Sequence, residues 1–231
     1  MQRDENERLV SLFSRSDFFT GLPEHTRQRI IAIAKPRHFQ VGQVIYLEGE
    51  PADNVYILEN GWVKASRMSR KGREQGMLFL RPPEVFGDIA AMTNEVYPAT
   101  TTALEDVDVW LIPSVELLRL VGESRELALA MIRRLSYRVM HYIEMVGELS
   151  LKPVETRLAG SLLQHVEPDG EQLIVPRRQW ATLDEMAVRL GTVRNVLSRA
   201  LRVLEEEGYI RVDKRYIVVL DLEGLAHRAE V

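Results

Sequence analysis

Residues 182–210 constrain this chain more than any other stretch. They read TLDEMAVRLGTVRNVLSRALRVLEEEGYI. Val193, Val196, Leu197, Ala200, Leu201 and Leu204 recur at three- and four-residue spacing, the apolar stripe of an amphipathic helix. Arg194, Asn195, Ser198, Arg199 and Arg202 fall on a different face. Glu205, Glu206 and Glu207 crowd the end of the helix, where carboxylates oppose the helix dipole, and Gly208 supplies the stop. Upstream, Thr182 is an N-cap with Glu185 three residues on, a capping box. Leu183, Met186, Ala187 and Leu190 then give a short apolar face closed by Gly191. Two short helices across a glycine turn form a helix-turn-helix, whose second helix can lie in a DNA major groove. Residues 209–220 read as two strand-like runs around Asp213-Lys214-Arg215, a hairpin that places Lys214 at or near its tip. Together these elements predict a winged helix-turn-helix with an arginine-bearing reading face.

That basic face is local, because the chain as a whole carries a formal net charge of −4. A mildly acidic protein does not coat nucleic acid indiscriminately, but it can carry one basic patch. At 231 residues the chain is long enough for one sizeable core and a smaller second one. No run of about 18 apolar residues is present, and the polar start MQRDENERLV has no signal-peptide pattern. With no cysteine there is no disulfide, thiolate zinc site or cysteine-held cluster. A cytoplasmic protein with no membrane partner is expected.

The first third has a different grammar. Val44-Ile45-Tyr46, residues 55–58, Trp62-Val63-Lys64, residues 77–80 and residues 107–111 are short β-branched and aromatic runs between turn residues. Asn60-Gly61 is the strongest two-residue hairpin signal. Many short antiparallel strands predict a β-roll or jelly roll. Further on, Ile132, Leu135, Val139, Tyr142, Val146 and Leu149 follow a 3-4-3-4-3 spacing, the seam of a parallel helix dimer. Met131, Met140, Ile143 and Met145 broaden the stripe, so a helix buried on its own domain is the alternative. Pro153 ends the run, and residues 165–170 (HVEPDG) form a second turn-rich break. The expected fold class is therefore α+β: an N-terminal β-roll sensor domain (1–122), a long dimerisation helix (123–152) and a C-terminal winged helix-turn-helix (153–231).

This order of parts, with VFGDIAAM in the roll and the matching positions Arg194, Ser198, Arg199, Leu201, Leu204, Glu205, Gly208 and Ile210, resembles the CRP/FNR family of bacterial transcription regulators. The resemblance spans roughly Phe18 to Leu220. It implies a homodimer on a palindromic DNA site, an effector in the roll, activation of transcription and contact with RNA polymerase. It also implies roles on DNA. Arg199 matches the arginine that bonds guanine O6 and N7, and Arg194 reads a second guanine or clamps a phosphate. Asn195 stands where the family has glutamate and prefers adenine, while Ser198 reaches a base or a phosphate. Thr182, Arg189, Arg202 and Lys214 become phosphate contacts that fix register.

The effector pocket departs from the family members that bind cyclic AMP. Gly87 and the shortened acid Asp88 keep the start of the motif, but Pro98 and Ala99 stand where the phosphate arginine and a hydroxyl residue belong. A gapped alignment brings Thr100 or Thr101 to the phosphate site as a replacement hydroxyl, with no arginine beside it. Val146-Gly147 replaces the pair that contacts adenine. A buried phosphate without a cation is badly compensated, so cyclic AMP is not expected as effector, and no cofactor is assigned. Heme-dependent members of the family form one alternative, with His38, His141, Met140 or Met145 as axial ligands. A cupin-like metal enzyme is a more distant one, because the five histidines are scattered and no catalytic motif accompanies them.

Overall fold

The computed structural model describes residues 2–170, 172–176 and 181–230, and the chain divides into two compact units, Met1–Arg67 with Met77–His141 and Met68–Gly76 with Tyr142–Val231. The chain begins with three helices, α1 (Gln2–Ser14), α2 (Asp17–Thr20) and α3 (Glu24–Ile33). Strands β1 (Lys35–Phe39), β2 (Val44–Tyr46), β3 (Asn54–Asn60), β4 (Val63–Met68), β5 (Glu74–Leu80) and β6 (Glu84–Phe86) follow. After them come α4 (Asp88–Thr93), β7 (Thr100–Ala103), β8 (Val107–Pro113), α5 (Ser114–Glu123) and the long α6 (Arg125–Leu151). The strands form two four-stranded sheets, ordered β1-β8-β3-β6 and β2-β7-β4-β5, the antiparallel roll expected from the turn-punctuated runs.

The central strands read as nearly continuous apolar runs because both faces of their sheet are covered. Along β3, Val55 and Ile57 point into a core built with Leu9, Leu12, Phe19 and Ile30 of the helical layer. The alternate residues Tyr56 and Leu58 point the other way, into the interior of the roll with Val63, Phe86 and Ala103. Strand β8 splits likewise, with Trp110 and Ile112 toward the helices and Val107 and Val109 toward the roll. An ion pair ties the layers together: Arg8 of α1 donates to both oxygens of Glu59, which also accepts from the Trp110 indole at 3.0 Å.

The Asn60-Gly61 turn differs from expectation. Strand β3 pairs with β6 and β8, and β4 with β5 and β7, so the turn is a corner between two sheets rather than a two-stranded hairpin. Its local chemistry is right, since Gly61 has φ +80°, in the left-handed region. What the turn residues could not encode is the partner of the outgoing strand. A Cβ on Gly61 would lie 2.5 Å from the Asp106 carbonyl oxygen and 2.9 Å from Val107 Cγ2. The corner closes so tightly that only glycine fits.

Helix α6 buries Leu127 and Met131 near its start against the helical layer. Beyond them its apolar residues lack cover: Ile132, Val139 and Val146 are 59%, 56% and 63% exposed. Leu135, Tyr142 and Leu149 on the same stripe are half-buried.

The remaining elements are α7 (Val154–Leu163), β9 (Glu167–Asp169), β10 (Gln172–Pro176), α8 (Leu183–Arg189), α9 (Arg194–Glu206), β11 (Ile210–Val212), β12 (Tyr216–Val219) and α10 (Leu222–Glu230). The expected hairpin is present, with Ile210 opposite Val219 and Val212 opposite Ile217. It belongs to a larger four-stranded sheet, ordered β11-β12-β10-β9. The break read at residues 165–170 in fact contains β9, paired to β10 through Pro168–Leu173 and Glu167–Ile174. Proline, aspartate and glycine mask so short an edge strand. Leu158, Leu162, Leu197, Ala200, Leu204, Ile210, Ile217 and Leu225 close one core among these elements. Arg157 of α7 reaches back to the end of α6, where one terminal nitrogen donates to the carbonyls of Glu148, Leu149 and Lys152 at 3.2–3.5 Å. Near its C-terminus a helix leaves such acceptors without intrahelical partners, and of the three Glu148 also accepts a backbone amide, that of Lys152 at 3.1 Å.

Replacing Gly61 by alanine is expected to destabilise the protein by about 1–3 kcal/mol from backbone strain alone, with the clash adding to it. Urea unfolding monitored by circular dichroism checks this, and a loss below about 0.5 kcal/mol would show that the corner can relax.

Candidate nucleic-acid interface and effector cassette

The helix-turn-helix forms where the sequence placed it. Thr182 is the N-cap of α8, and its Oγ1 accepts from the Glu185 amide at 3.2 Å, the first half of a capping box. Gly191 lies in the turn with φ +64°, and α9 starts at Arg194. Leu197, Ala200, Leu201 and Leu204 of α9 are between 0% and 6% exposed, so one face of that helix is spent entirely on the core. Val193 is the exception in the predicted stripe. It is the N-cap, 51% exposed, because the helix begins one residue after it.

The buried stripe turns the polar residues outward. Arg194, Asn195, Arg199 and Arg202 are exposed and Ser198 is half-buried. Arg199 donates its Nε to the Asn195 carbonyl at 3.4 Å, and Arg194 meets Asp184 of α8 at 3.0 Å in an exposed pair that is easily exchanged for another anion. Thr182 at the start of α8 and Lys214 in the β11–β12 turn are exposed as well. Arg189 is placed differently. Its guanidinium sits 2.8 Å from His165 Nε2, and burial lowers its pKa below the usual arginine value. A guanidinium only donates, so Nε2 accepts and the imidazole proton occupies Nδ1, which donates to the Ser161 carbonyl at 2.8 Å. Arg189 is thus engaged with His165 of its own unit. The acidic end of α9 also finds its purpose. A Glu205 oxygen accepts from the Val212 amide of the wing at 3.0 Å, and Glu207 pairs with Arg228 of α10 at 3.4 Å. Sequence reasoning could register the acids as misplaced for the dipole, but not name what they hold.

The cassette around α4 lies in the other unit. Gly87 is the N-cap of α4 with φ +79°, and a Cβ there would meet the Asn54 carbonyl oxygen at 3.1 Å and the Tyr56 and Tyr97 rings at 3.4 Å. The interior beside it is filled with aromatic rings. Tyr46 stacks on Tyr97 with centroids 3.7 Å apart, and Tyr56 stacks on Phe86 at 5.0 Å. The Tyr97 hydroxyl donates to the Asn54 carbonyl at 2.6 Å, and burial raises the phenol pKa of Tyr46, Tyr56 and Tyr97. Pro98 is exposed, Ala99 is buried, and the Thr100 hydroxyl accepts from the Glu48 amide at 3.0 Å. Ala99 therefore brings only a methyl group to the interior.

Asp88 is 2% exposed and has a partner the sequence could not show. Arg134 of α6 donates Nε to it at 2.7 Å, places a terminal nitrogen 2.5 Å from Glu84, and bonds the Val85 carbonyl with its other terminal nitrogen. Burial opposes the Arg134 charge, but Asp88 and Glu84 outweigh it and hold the pKa above the usual arginine value. Arg138 adds weaker contacts to the Val85 carbonyl at 3.3 Å and to Glu84 at 3.5 Å. Of the candidate heme ligands, His38 pairs with Asp108 on an exposed strand face, Met140 and His141 are exposed, and Met145 is half-buried.

Residues 36–124 match the cyclic nucleotide-binding domain family, and residues 156–228 match the Crp-like helix-turn-helix domain family. The CRP-like cAMP-activated global transcriptional regulator of Mycobacterium tuberculosis is 26% identical over 223 residues, covering 96% of this chain and 100% of its own length. The global nitrogen regulator of Synechococcus elongatus is 28% identical over 200 residues, 82% of this chain and 87% of its own. FixK2 from Bradyrhizobium japonicum shares the fold with a TM-score of 0.73 at 23% identity, over 84% of this chain and 96% of its own. With both domain families in the expected order, the protein is a DNA-binding transcription regulator. It belongs to the CRP/FNR family, whose matched members are regulators and not enzymes, which sets aside the cupin-like alternative.

Because Arg189 is held inside its unit, Arg189→Ala is expected to lower unfolding stability by about 1–3 kcal/mol. Lys214→Ala, at an exposed turn, is expected to stay within about 0.5 kcal/mol of the parent. Thermal unfolding of the two variants side by side checks the contrast.

Proposed function

We propose that the protein acts as a homodimeric transcription activator, placing one α9 in each half of a palindromic site and responding to an effector other than cyclic AMP. The observation that carries the dimer is the α6 stripe, where Ile132, Val139 and Val146 stay more than half exposed at the spacing of a two-helix seam. Reading of bases falls to Arg194, Asn195, Ser198 and Arg199, with Thr182, Arg202 and Lys214 positioned for backbone phosphates. Two such helices related by a two-fold axis match a palindrome, since operator symmetry mirrors protein symmetry. RNA polymerase is the further partner in activation, and the setting is the cytoplasm.

The effector part of the reading draws on the cassette. A cyclic nucleotide brings a buried phosphate monoanion, which needs a cation or a fork of donors. Here the positions for that role carry Pro98 and Ala99, and the arginine nearest Asp88 is Arg134, already committed to two carboxylates. The stacked tyrosines occupy the interior beside Gly87. Each feature acts against cyclic AMP independently of the others.

The dimer is tested by sedimentation. The parent should run as a dimer at micromolar concentration, and Leu135→Glu with Val139→Glu should yield a monomer, whereas a monomeric parent would refute the seam. Specificity is tested by selecting bound sites from random DNA and then measuring Arg199→Ala. That variant should lose about 1–3 kcal/mol on the selected palindrome and little on random DNA. Equal losses on both would assign Arg199 to a phosphate.

A further inference from the structure

A cavity of about 530 Å³ opens on the flank of α6, outside the roll interior, bounded by α2, β6 and α6. That volume is within the usual range for small-molecule sites. Its apolar part is Phe18, Leu129 and Ala130. Its polar part is a column at four-residue spacing on α6, Arg133, Tyr137 and His141. At about 100° per residue this column lies roughly opposite the stripe of Ile132, Val139 and Val146, so pairing along that stripe leaves the cavity open.

The cations here are not equivalent. Arg134 and Arg138 also border the cavity, but they are turned onto Asp88, Glu84 and the Val85 carbonyl. Arg133 has no hydrogen bond or ion pair among the described residues and is exposed. Tyr137 presents its ring one turn further on, 77% exposed. Glu84 and Glu126 border the same space and repel a second negative charge. One open guanidinium suits a single carboxylate, which it meets with two parallel donors. Apolar walls and an exposed phenol ring suit a flat hydrocarbon body. We infer that this cavity is a binding site for a small monocarboxylic acid with an aromatic body, with Arg133 taking the carboxylate and Tyr137 and Phe18 flanking the ring.

The inference deepens the reading of an effector that is not a cyclic nucleotide, and it can fail independently of that reading. The test is calorimetry on the full-length protein with 2-naphthoate as the probe, and with 2-naphthyl phosphate and naphthalene-2-methanol as dianionic and neutral counterparts. Saturable binding of 2-naphthoate below about 1 mM is expected, with both counterparts weaker. Arg133→Ala should weaken naphthoate binding at least about tenfold, and Tyr137→Ala should also weaken it. Both side chains are exposed, so these variants should unfold at the parent's midpoint. Cyclic AMP should not compete. Absence of saturable naphthoate binding, equal binding of the neutral analogue, or an unchanged affinity in Arg133→Ala would overturn the site. Specific DNA binding measured on the same preparations reports separately on the regulator reading.

Discussion

The exposed arginine face of α9 depends on one packing decision. Leu197, Ala200, Leu201 and Leu204 are all but removed from solvent, and no other rotation of α9 would bury all four. Each larger side chain buried this way contributes about 1.5–3 kcal/mol, far more than the exposed pair between Arg194 and Asp184. Hydrophobic burial thus aims the arginines, and electrostatics has little say in where they point. Glu205 and Glu207 extend the same logic to the helix end. Their position costs a little against the dipole but fixes the wing and α10 to the recognition helix.

The roll solves a related problem with two faces. Strands β3 and β8 send alternate residues into a helical layer and into the space between the sheets. The space between the sheets is therefore itself a core that must be filled. Here Tyr46, Tyr56, Tyr97 and Phe86 fill it with stacked rings, and the buried carboxylate of Asp88 is answered by an arginine from α6. Removing one member of such a buried pair leaves an uncompensated charge, so losing Arg134 alone would strand Asp88.

Legibility in the sequence followed the range of the interactions. The capping box at Thr182, the α9 stripe, the glycine stops and the short strands are encoded within a few residues, and all were readable. Asn60-Gly61 was readable as a turn but not as a corner, because β4 pairs with β5 and β7 rather than with β3. The β9–β10 pair was hidden by turn-forming residues, and the helices of the first thirty residues carry no motif. In the candidate site, the exposure of Arg194, Asn195, Arg199, Arg202 and Lys214 follows from the phase of one helix or one turn. Arg189, read as a phosphate contact, is held against His165, 24 positions away, which no local pattern could indicate. The Arg134–Asp88 pair joins residues 46 positions apart, and no local pattern carries it.

The Arg157 fork has a mechanical consequence. A single guanidinium nitrogen spans three carbonyls at the end of α6, so α7 cannot rotate about the Lys152–Pro153 joint without giving up all three acceptors together. Burial lowers the pKa of that guanidinium, and among the described residues its Nε has no hydrogen-bond partner. Turning α7 about this joint therefore has to break the fork as a unit, so the end of α6 and the start of α7 are coupled through one side chain.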